Sequence, residues 1–236
     1  MRDSCVAHVF SVKEERGTMV DFRFDIVAEY AALILRGTML TIGISILGII
    51  FGSILGLAVG FGKMSKRWFI SWPMHAYVNF FRGTPLLVQI LIVHFGVVPL
   101  FLDRTDAVIA AIVALSLNSA AYSAEIFRAG IQSIDKGQTE AAYALGMTHA
   151  QTMRHIILPQ AVKRMIPAFG NEFIVLIKDS SLVAIIAAPE LMYWSNAMRS
   201  EYMRVWEPYL TAAFIYLILT YSLSKLLAYV ERRLGT

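Results

Sequence analysis

Between Arg36 and Lys63 the chain reads GTMLTIGISILGIIFGSILGLAVGFG, without one charged residue. An α-helix rises about 1.5 Å per residue and a hydrocarbon core is about 30 Å thick, so this run is long enough to cross a bilayer as a single helix. Further apolar runs occupy residues 83–102, 107–124, 165–188 and 208–224, the fourth of the five runs being interrupted by Glu172, Lys178 and Asp179. The pattern predicts an all-α integral membrane protein with five transmembrane helices. Residues 1–30 read as an N-terminal extension and interfacial segment, and residues 31–236 as the membrane domain. One stretch departs from the pattern: EAAYALGMTHAQTMRHIILP, residues 140–159, places a small-residue helix, a glycine, a polar segment and a proline between the third and fourth runs.

Composition agrees with a membrane solvent. Hydrophobic residues make up 57% of the 236 and charged residues only 16%, with a mean hydropathy of +0.60, whereas soluble domains are about one quarter charged. The opening MRDSCVAHVFSVKEERGT has no long apolar core and no small-residue cleavage site, so removal of a signal peptide is not expected. Met19 stands directly before VDFRFDIVAEYAALILRG, whose apolar residues recur at roughly helical spacing, and is a candidate biological start. Cys5 is the only cysteine, which excludes an intrachain disulfide and a thiolate metal cluster. His75, His94, His149 and His155 show no paired ligand spacing, and no metal is expected.

Orientation follows from sorting Lys and Arg into alternate loops. One side holds Lys63, Lys66, Arg67, Arg128, Lys136, Arg154, Lys163, Arg164, Lys225, Arg232 and Arg233; the other holds Arg104, Arg199 and Arg204 with the mixed-charge N-terminal arm. The expected arrangement is N-terminus outside and C-terminus inside, which puts residues 140–159 in the cytoplasm.

There, Glu140, Ala141, Ala142, Ala144 and Leu145 favour a helix, and the alanines would let another backbone approach closely. Gly146 ends or bends it, Thr148 is placed to cap a second helix, and Pro159 suits the first turn of the fourth span. The result is a short helix–turn–helix that is either a docking device or a plain interfacial connector. The set Glu140, Ala141, Ala142, Gly146, Ile156, Leu158 and Pro159 resembles the EAA loop of permease subunits of ATP-binding cassette importers. LILRGTMLTIGIS, FFRGTPLLVQILIV, NSAAYSAEIFRAGIQSIDKGQ and GNEFIVLIKDSSLVAII are similar to the first four spans of the polar amino-acid branch, the third with its approach to the loop, and the likeness covers nearly all of the chain after Met19. That resemblance implies a coupling loop at residues 131–159, with Glu140, Ala141, Ala142, Leu145 and Gly146 against the ATPase. It also implies two ATPase subunits, a second permease subunit, identical or related, and an extracellular substrate-binding protein. The setting is the bacterial cytoplasmic membrane and its lipid, without nucleic acid. No cofactor is expected in this chain, ATP and Mg being held by the ATPase.

Polar residues inside the spans are the other candidates. Arg82 in FRGTP would cost about 2.5–3.5 kcal/mol at mid-bilayer, so it belongs near the cytoplasmic end or against a polar partner. Gly83 and Pro85 around Thr84 predict a break where the second span begins. Gly48, Gly52, Gly56 and Gly60 recur four apart on one face of the first span and predict close helix packing. Asn118 and Tyr122, also four apart, either line a path or make interhelical hydrogen bonds. In the fourth span, Glu172 and Asp179 share a stripe by seven-residue spacing, next to a stripe with Asn171 and Lys178. Adjacent residues point about 100° apart on a helix, so Lys178 and Asp179 pair poorly with each other. With Ser180 and Ser181 these charges form a candidate substrate site for the ammonium and carboxylate of an amino acid; the alternative is structural pairing with neighbouring helices.

No GxxxxGK[ST] phosphate loop is present, so this chain is not the ATPase, and neither GxSxG nor HExxH supports an intramembrane enzyme using a histidine with Asp179 or Glu125. A passive channel would need no docking loop. The expected function is the permease subunit of an ATP-driven importer of polar amino acids. Asp179 points to arginine, lysine or histidine as cargo, with glutamine or another neutral polar amino acid as the alternative.

Overall fold

The computed structural model describes residues 22–234, and every described regular element is helical. The readings made of Cys5 and Met19 lie outside the described residues.

Helix α1 (Phe24–Lys63) has 40 residues, which at about 1.5 Å each makes it about 60 Å long. It begins well before Arg36, so the boundary drawn at residues 30 and 31 falls within a continuous helix. Its start is held from a distance, by the Arg23 N–H donating to Glu207 Oε1 at 3.0 Å. Its buried residues form one stripe: Ile26, Tyr30, Ile34, Gly37, Thr41 and Ile44 continue into Gly48, Gly52, Gly56 and Gly60. Large apolar side chains on its other faces, such as Phe51 and Ile54, stay exposed, as suits a lipid-facing surface.

The break predicted before the second span is present. Helix α2 (Trp68–Gly83) and the segment Leu86–Leu102 meet at 110°, and Thr84 is extended (φ −117°, ψ 150°) because a following proline disfavours the α conformation. The run 83–102 is thus the second arm of a bent pair whose first arm, α2, is not among the five apolar runs. That second arm comprises α3 (Leu86–Ile92), a π-helical turn (Val93–Val97) and α4 (Val98–Leu102).

Helix α5 (Ala107–Gln132), capped by the Asp106 side chain, lies along α1. There the glycine stripe meets a stripe of Ala and Ser, and a methyl group on Gly52 would stand 2.7 Å from Ser119 Cβ. After α6 (Lys136–Ala144) and α7 (His149–Thr152), a second π turn (Met153–Ile157) leads into α8 (Leu158–Asp179) and a 3-10 segment (Ser180–Ile186). Each π turn ends two residues before a proline, Pro99 or Pro159. A proline ring clashes with the carbonyl four residues back, and the wider turn relieves that clash. Helices α9 (Leu191–Tyr202) and α10 (Trp206–Leu234) complete the chain.

By length and composition α1, α5 and α10 are each long and apolar enough to cross a membrane, and the bent pair makes a fourth where its two arms count as one span. The remaining expected span, residues 165–188, corresponds to α8 and its 3-10 extension, whose charges take it out of the apolar set. The main core gathers Ile44 of α1, Ile90 of α3, Val98 of α4, Leu115 of α5, Leu176 of α8 and Val183 of the 3-10 segment. Buried Glu190 fastens the far end: it accepts from the Tyr193 N–H at 2.8 Å, the Thr41 hydroxyl at 3.2 Å and the Tyr216 hydroxyl at 2.9 Å, tying α1, α9 and α10 together.

Candidate functional site

The loop between α5 and α8 is built by local rules. Asp135 begins α6, its carboxylate accepting from the Gly137 N–H at 2.6 Å. Gly146 ends it at φ +79°. The Gly146 N–H donates to Tyr143 O at 2.9 Å and the Met147 N–H to Ala142 O at 3.1 Å, the paired bonds of a Schellman turn, which favours glycine at this position. Thr148 then starts α7 with a capping box: the Gln151 N–H donates to its hydroxyl, and its own N–H donates to Gln151 Oε1 at 2.8 Å. Across the turn, the Tyr143 hydroxyl meets His149 Nδ1 at 2.9 Å.

Glu140, Ala141, Leu145 and Gly146 are exposed, Leu145 at 83%. Ala142 instead is buried and turns towards its own chain. From His149 the backbone remains helical to Ile186, through the π turn and the 3-10 segment. The short helix that ends at Gly146 is therefore joined by one tight turn to a rod that carries every charged candidate of the fourth span.

On that rod Arg164, Ala168, Asn171, Lys178, Leu182 and Ile185 form an exposed stripe, flanked by half-buried Glu172 and Asp179. Neither Lys178 nor Asp179 has a hydrogen bond or an ion pair among the described residues. Ser181 is half-buried, whereas Ser180 is buried and its hydroxyl donates to Ile177 O at 2.7 Å, within its own helical turn.

Asn118 and Tyr122 part company. Asn118 Nδ2 donates to Gln89 Oε1 at 2.8 Å and weakly to Phe81 O at 3.4 Å. Gln89 Nε2 in turn serves Phe81 O at 2.9 Å and Thr84 O at 3.1 Å. Those carbonyls are freed by the break between α2 and α3, so Asn118 acts through Gln89 as a splint for the bend. Tyr122 is exposed and opens onto a cleft of about 550 Å³ between α5 and α8, lined by Arg82, Tyr122, Glu125, Ile126, Ala129, Gly130, Ser133, Arg164, Met165, Ala168, Asn171 and Glu172. Arg82 lies over the Tyr122 ring at 5.4 Å from its centroid.

Three side chains carry more than the sequence reading assigned to them. Gln89 is a lone amide in an apolar run, and that was its only signal. Glu125 gathers cations: Lys63 bonds Oε1, Arg128 lies 2.9 Å from Oε2, and Arg82 is 3.9 Å away. Glu190 is legible only as an acid before a helix. Among the described residues no three His, Cys, Asp or Glu side chains gather where a metal would sit.

Comparison with known proteins adds an independent finding. The sequence pattern of the family described as "Binding-protein-dependent transport system inner membrane component" matches residues 48–236. The chain is 43% identical over 204 residues to the arginine transport system permease protein ArtQ of Bacillus subtilis (strain 168), covering 85% of this chain and 92% of that one. It is 38% identical over 203 residues to the glutamine transport system permease protein GlnP of Escherichia coli (strain K12), covering 86% and 93%. A solved structure described as an amino acid ABC transporter with histidines superimposes with a TM-score of 0.85 at 41% identity, covering 91% of this chain and all of that one.

Proposed function

This chain belongs to the family of binding-protein-dependent transport system inner membrane components, and we propose, from the charges of its α8, that a basic amino acid is its cargo. It is a multi-pass membrane permease of an amino-acid ATP-binding cassette importer; ATP is hydrolysed on a separate ATPase subunit, and a second permease subunit completes the membrane part. In the fuller reading, two ATPase copies hold ATP and Mg, and an extracellular substrate-binding protein delivers the amino acid. The N-terminus lies outside and the C-terminus inside the bacterial cytoplasmic membrane. Glu140, Ala141, Leu145 and Gly146 face the ATPase, and Ala142 seats α6 on its own chain.

The observation that carries the cargo reading is the pair Lys178 and Asp179, without a hydrogen bond or ion pair among the described residues, on a rod continuous with the loop. Charges at membrane depth are costly unless something satisfies them. An amino acid meets both signs at once, its ammonium or guanidinium at Asp179 and Glu172 and its carboxylate at Lys178. In this reading Ser181, Asn171 and Tyr122 add hydrogen bonds to the cargo, whereas Ser180 bonds within its own helical turn and Asn118 braces the bend before α3. Because α7 and α8 are joined helically, movement of the loop by the ATPase is carried to these charges as displacement of one rigid element. The relative named for glutamine keeps a neutral cargo as the second reading.

The deciding experiment is hydrolysis by the reconstituted complex with its ATPase and binding protein, titrated with arginine, lysine, histidine and glutamine. The basic amino acids are expected to stimulate it. Asp179→Asn keeps the shape and removes the charge, and is expected to weaken arginine-stimulated hydrolysis more than basal hydrolysis. Response to glutamine alone overturns the basic cargo; unchanged responses in Asp179→Asn remove the residue from the site.

A further inference from the structure

The corner between α1 and α2 is basic, aromatic and uncovered. Residues 30–102 contain no Asp or Glu. At the end of α1, Lys63 turns inward to Glu125 of α5. Lys66 and Arg67 are exposed instead, and neither side chain makes a hydrogen bond or an ion pair among the described residues. Their backbone is fixed all the same: the Arg67 N–H donates to Ser65 Oγ at 3.2 Å and the Ser71 hydroxyl to Lys63 O at 3.3 Å. Directly after them α2 presents Trp68, 77% exposed, with Phe69 at 59% and Trp72 at 68%. Trp68, Trp72, Ala76 and Phe80 recur four apart, and all four are exposed. Val78 is the one buried residue of α2, and the Tyr77 hydroxyl beside it donates to Leu117 O of α5 at 2.6 Å. The helix is thus seated by its Tyr77–Val78 side, and the tryptophans lie on the side the chain leaves open.

Two cations without an acid, set at the edge of an uncovered aromatic face, match one kind of molecule. Tryptophan is enriched where the bilayer meets water, with its apolar ring among the acyl chains at headgroup level. A free anion would satisfy Lys66 and Arg67 and leave the rings in water. A zwitterionic lipid would cover the rings but bring its own cation beside its phosphate. An anionic phospholipid does both, since its phosphate carries an unopposed charge and its chains are apolar.

We propose that the α1–α2 corner is a seat for an anionic phospholipid, in which Lys66 and Arg67 hold the phosphate and Trp68, Phe69 and Trp72 lie along the acyl chains. The guanidinium of Arg67 offers a fork of donors to two phosphate oxygens, and Lys66 adds a point charge. The lipid anchors the start of α2, the first arm of the bent pair, whose other end is splinted by Gln89 and Asn118. This inference is independent of which amino acid is carried.

The test uses the complete complex with its ATPase in nanodiscs of phosphatidylcholine. These are doped, at equal fractions, with either phosphatidylglycerol or phosphatidylcholine bearing a photoreactive diazirine on an acyl chain. Cross-linked lipid is mapped by mass spectrometry, and residues 214–218 of α10, with exposed Phe214, Leu217 and Ile218, serve as an uncharged reference surface. Phosphatidylglycerol is expected to exceed phosphatidylcholine about fivefold or more at residues 66–76, as one or two basic residues near a membrane surface would give, and to match it at the reference. Replacing Lys66 and Arg67 together by Gln is expected to abolish the preference, and either change alone to leave an intermediate one. At about 1 M NaCl, where screening acts within about 3 Å, the parent is expected to lose most of it. Unchanged adducts at residues 214–218 show that a variant is folded; if the double variant fails this control, the salt series on the parent decides alone. Equal adducts of the two lipids at residues 66–76, or a preference that survives both the double substitution and high salt, overturns the proposal. Absence of adducts from either lipid there means that protein covers the corner, and loss of the phosphatidylglycerol adduct to millimolar glycerol 3-phosphate means that the seat takes a soluble anion; either result also overturns it. The cargo reading is tested separately by amino-acid-stimulated hydrolysis, so either reading can fail while the other stands.

Discussion

Gly56 shows how little space a single position leaves. A methyl group there would stand 2.4 Å from Ser123 Cβ and 2.8 Å from the Ala120 carbonyl oxygen, which is backbone and cannot swing aside. Gly43, on the same helix, would meet nothing within 4 Å. Overpacking a tight contact costs about 1–3 kcal/mol, whereas alanine in place of glycine in an open helical position gains up to about 1 kcal/mol. Gly56→Ala is therefore expected to lower the unfolding temperature of the detergent-solubilised protein and Gly43→Ala to hold or raise it. Equal effects of the two would refute the α1–α5 seam. The four-residue glycine spacing was legible because it concerns one helix face. Asn118 was legible only as a polar group in a span, since its role depends on Gln89, 29 positions away.

At the scale of elements, the turn between α6 and α7 was readable almost bond by bond. A helix stop at glycine and a capping box from threonine to glutamine act within a few residues, so packing elsewhere scarcely alters them. Gly146 has open space around its Cβ position but a left-handed backbone. A non-glycine residue there costs about 1–2 kcal/mol from strain, and a β-branched one is less tolerated still. Gly146→Val is expected to lower transport and stimulated hydrolysis together while the protein still inserts, and Gly146→Asn, which visits this conformation more readily, to retain most of both. Normal uptake by Gly146→Val would count against a coupling role. The π turns were hidden, because Pro99 and Pro159 announce a disturbed helix without saying whether it breaks, as at Pro85, or widens.

The whole molecule sets which ends face which side. Thr105 and Thr148 are both exposed and are separated by α5, whose 26 residues are about 39 Å long. Eleven basic residues sort to the side of Thr148. In a Cys5→Ser background, a cysteine at Thr148 is expected to react with an impermeant reagent from the cytoplasmic side and one at Thr105 from the outside. Labelling of both from one side would overturn the orientation. Helix α2 escaped the apolar pattern because WFISWPMHAYVNFFRG mixes aromatic residues with His75, Asn79, Arg82 and an internal proline. Its place as the first arm of a bent pair became visible only with the fold.

What the sequence determined by itself was whatever depends on near neighbours: the apolar runs, the break at Thr84, the glycine stripe, the helix stop at Gly146 and the cap at Thr148. Hydrophobic period, backbone sterics and capping all act over a few residues, so they can be read along the chain. The tertiary structure decided which distant polar groups meet. Lys63 reaches Glu125 across 62 positions and Thr41 reaches Glu190 across 149, and no periodicity encodes such pairings. They arise because apolar packing of α1 against α5 and α9 brings those helix faces together, and a buried charge or hydroxyl then takes the partner that the packing supplies. By the same logic Lys178 and Asp179 make no hydrogen bond or ion pair among the described residues, because Lys178 lies on an exposed stripe of α8 and Asp179 at its flank.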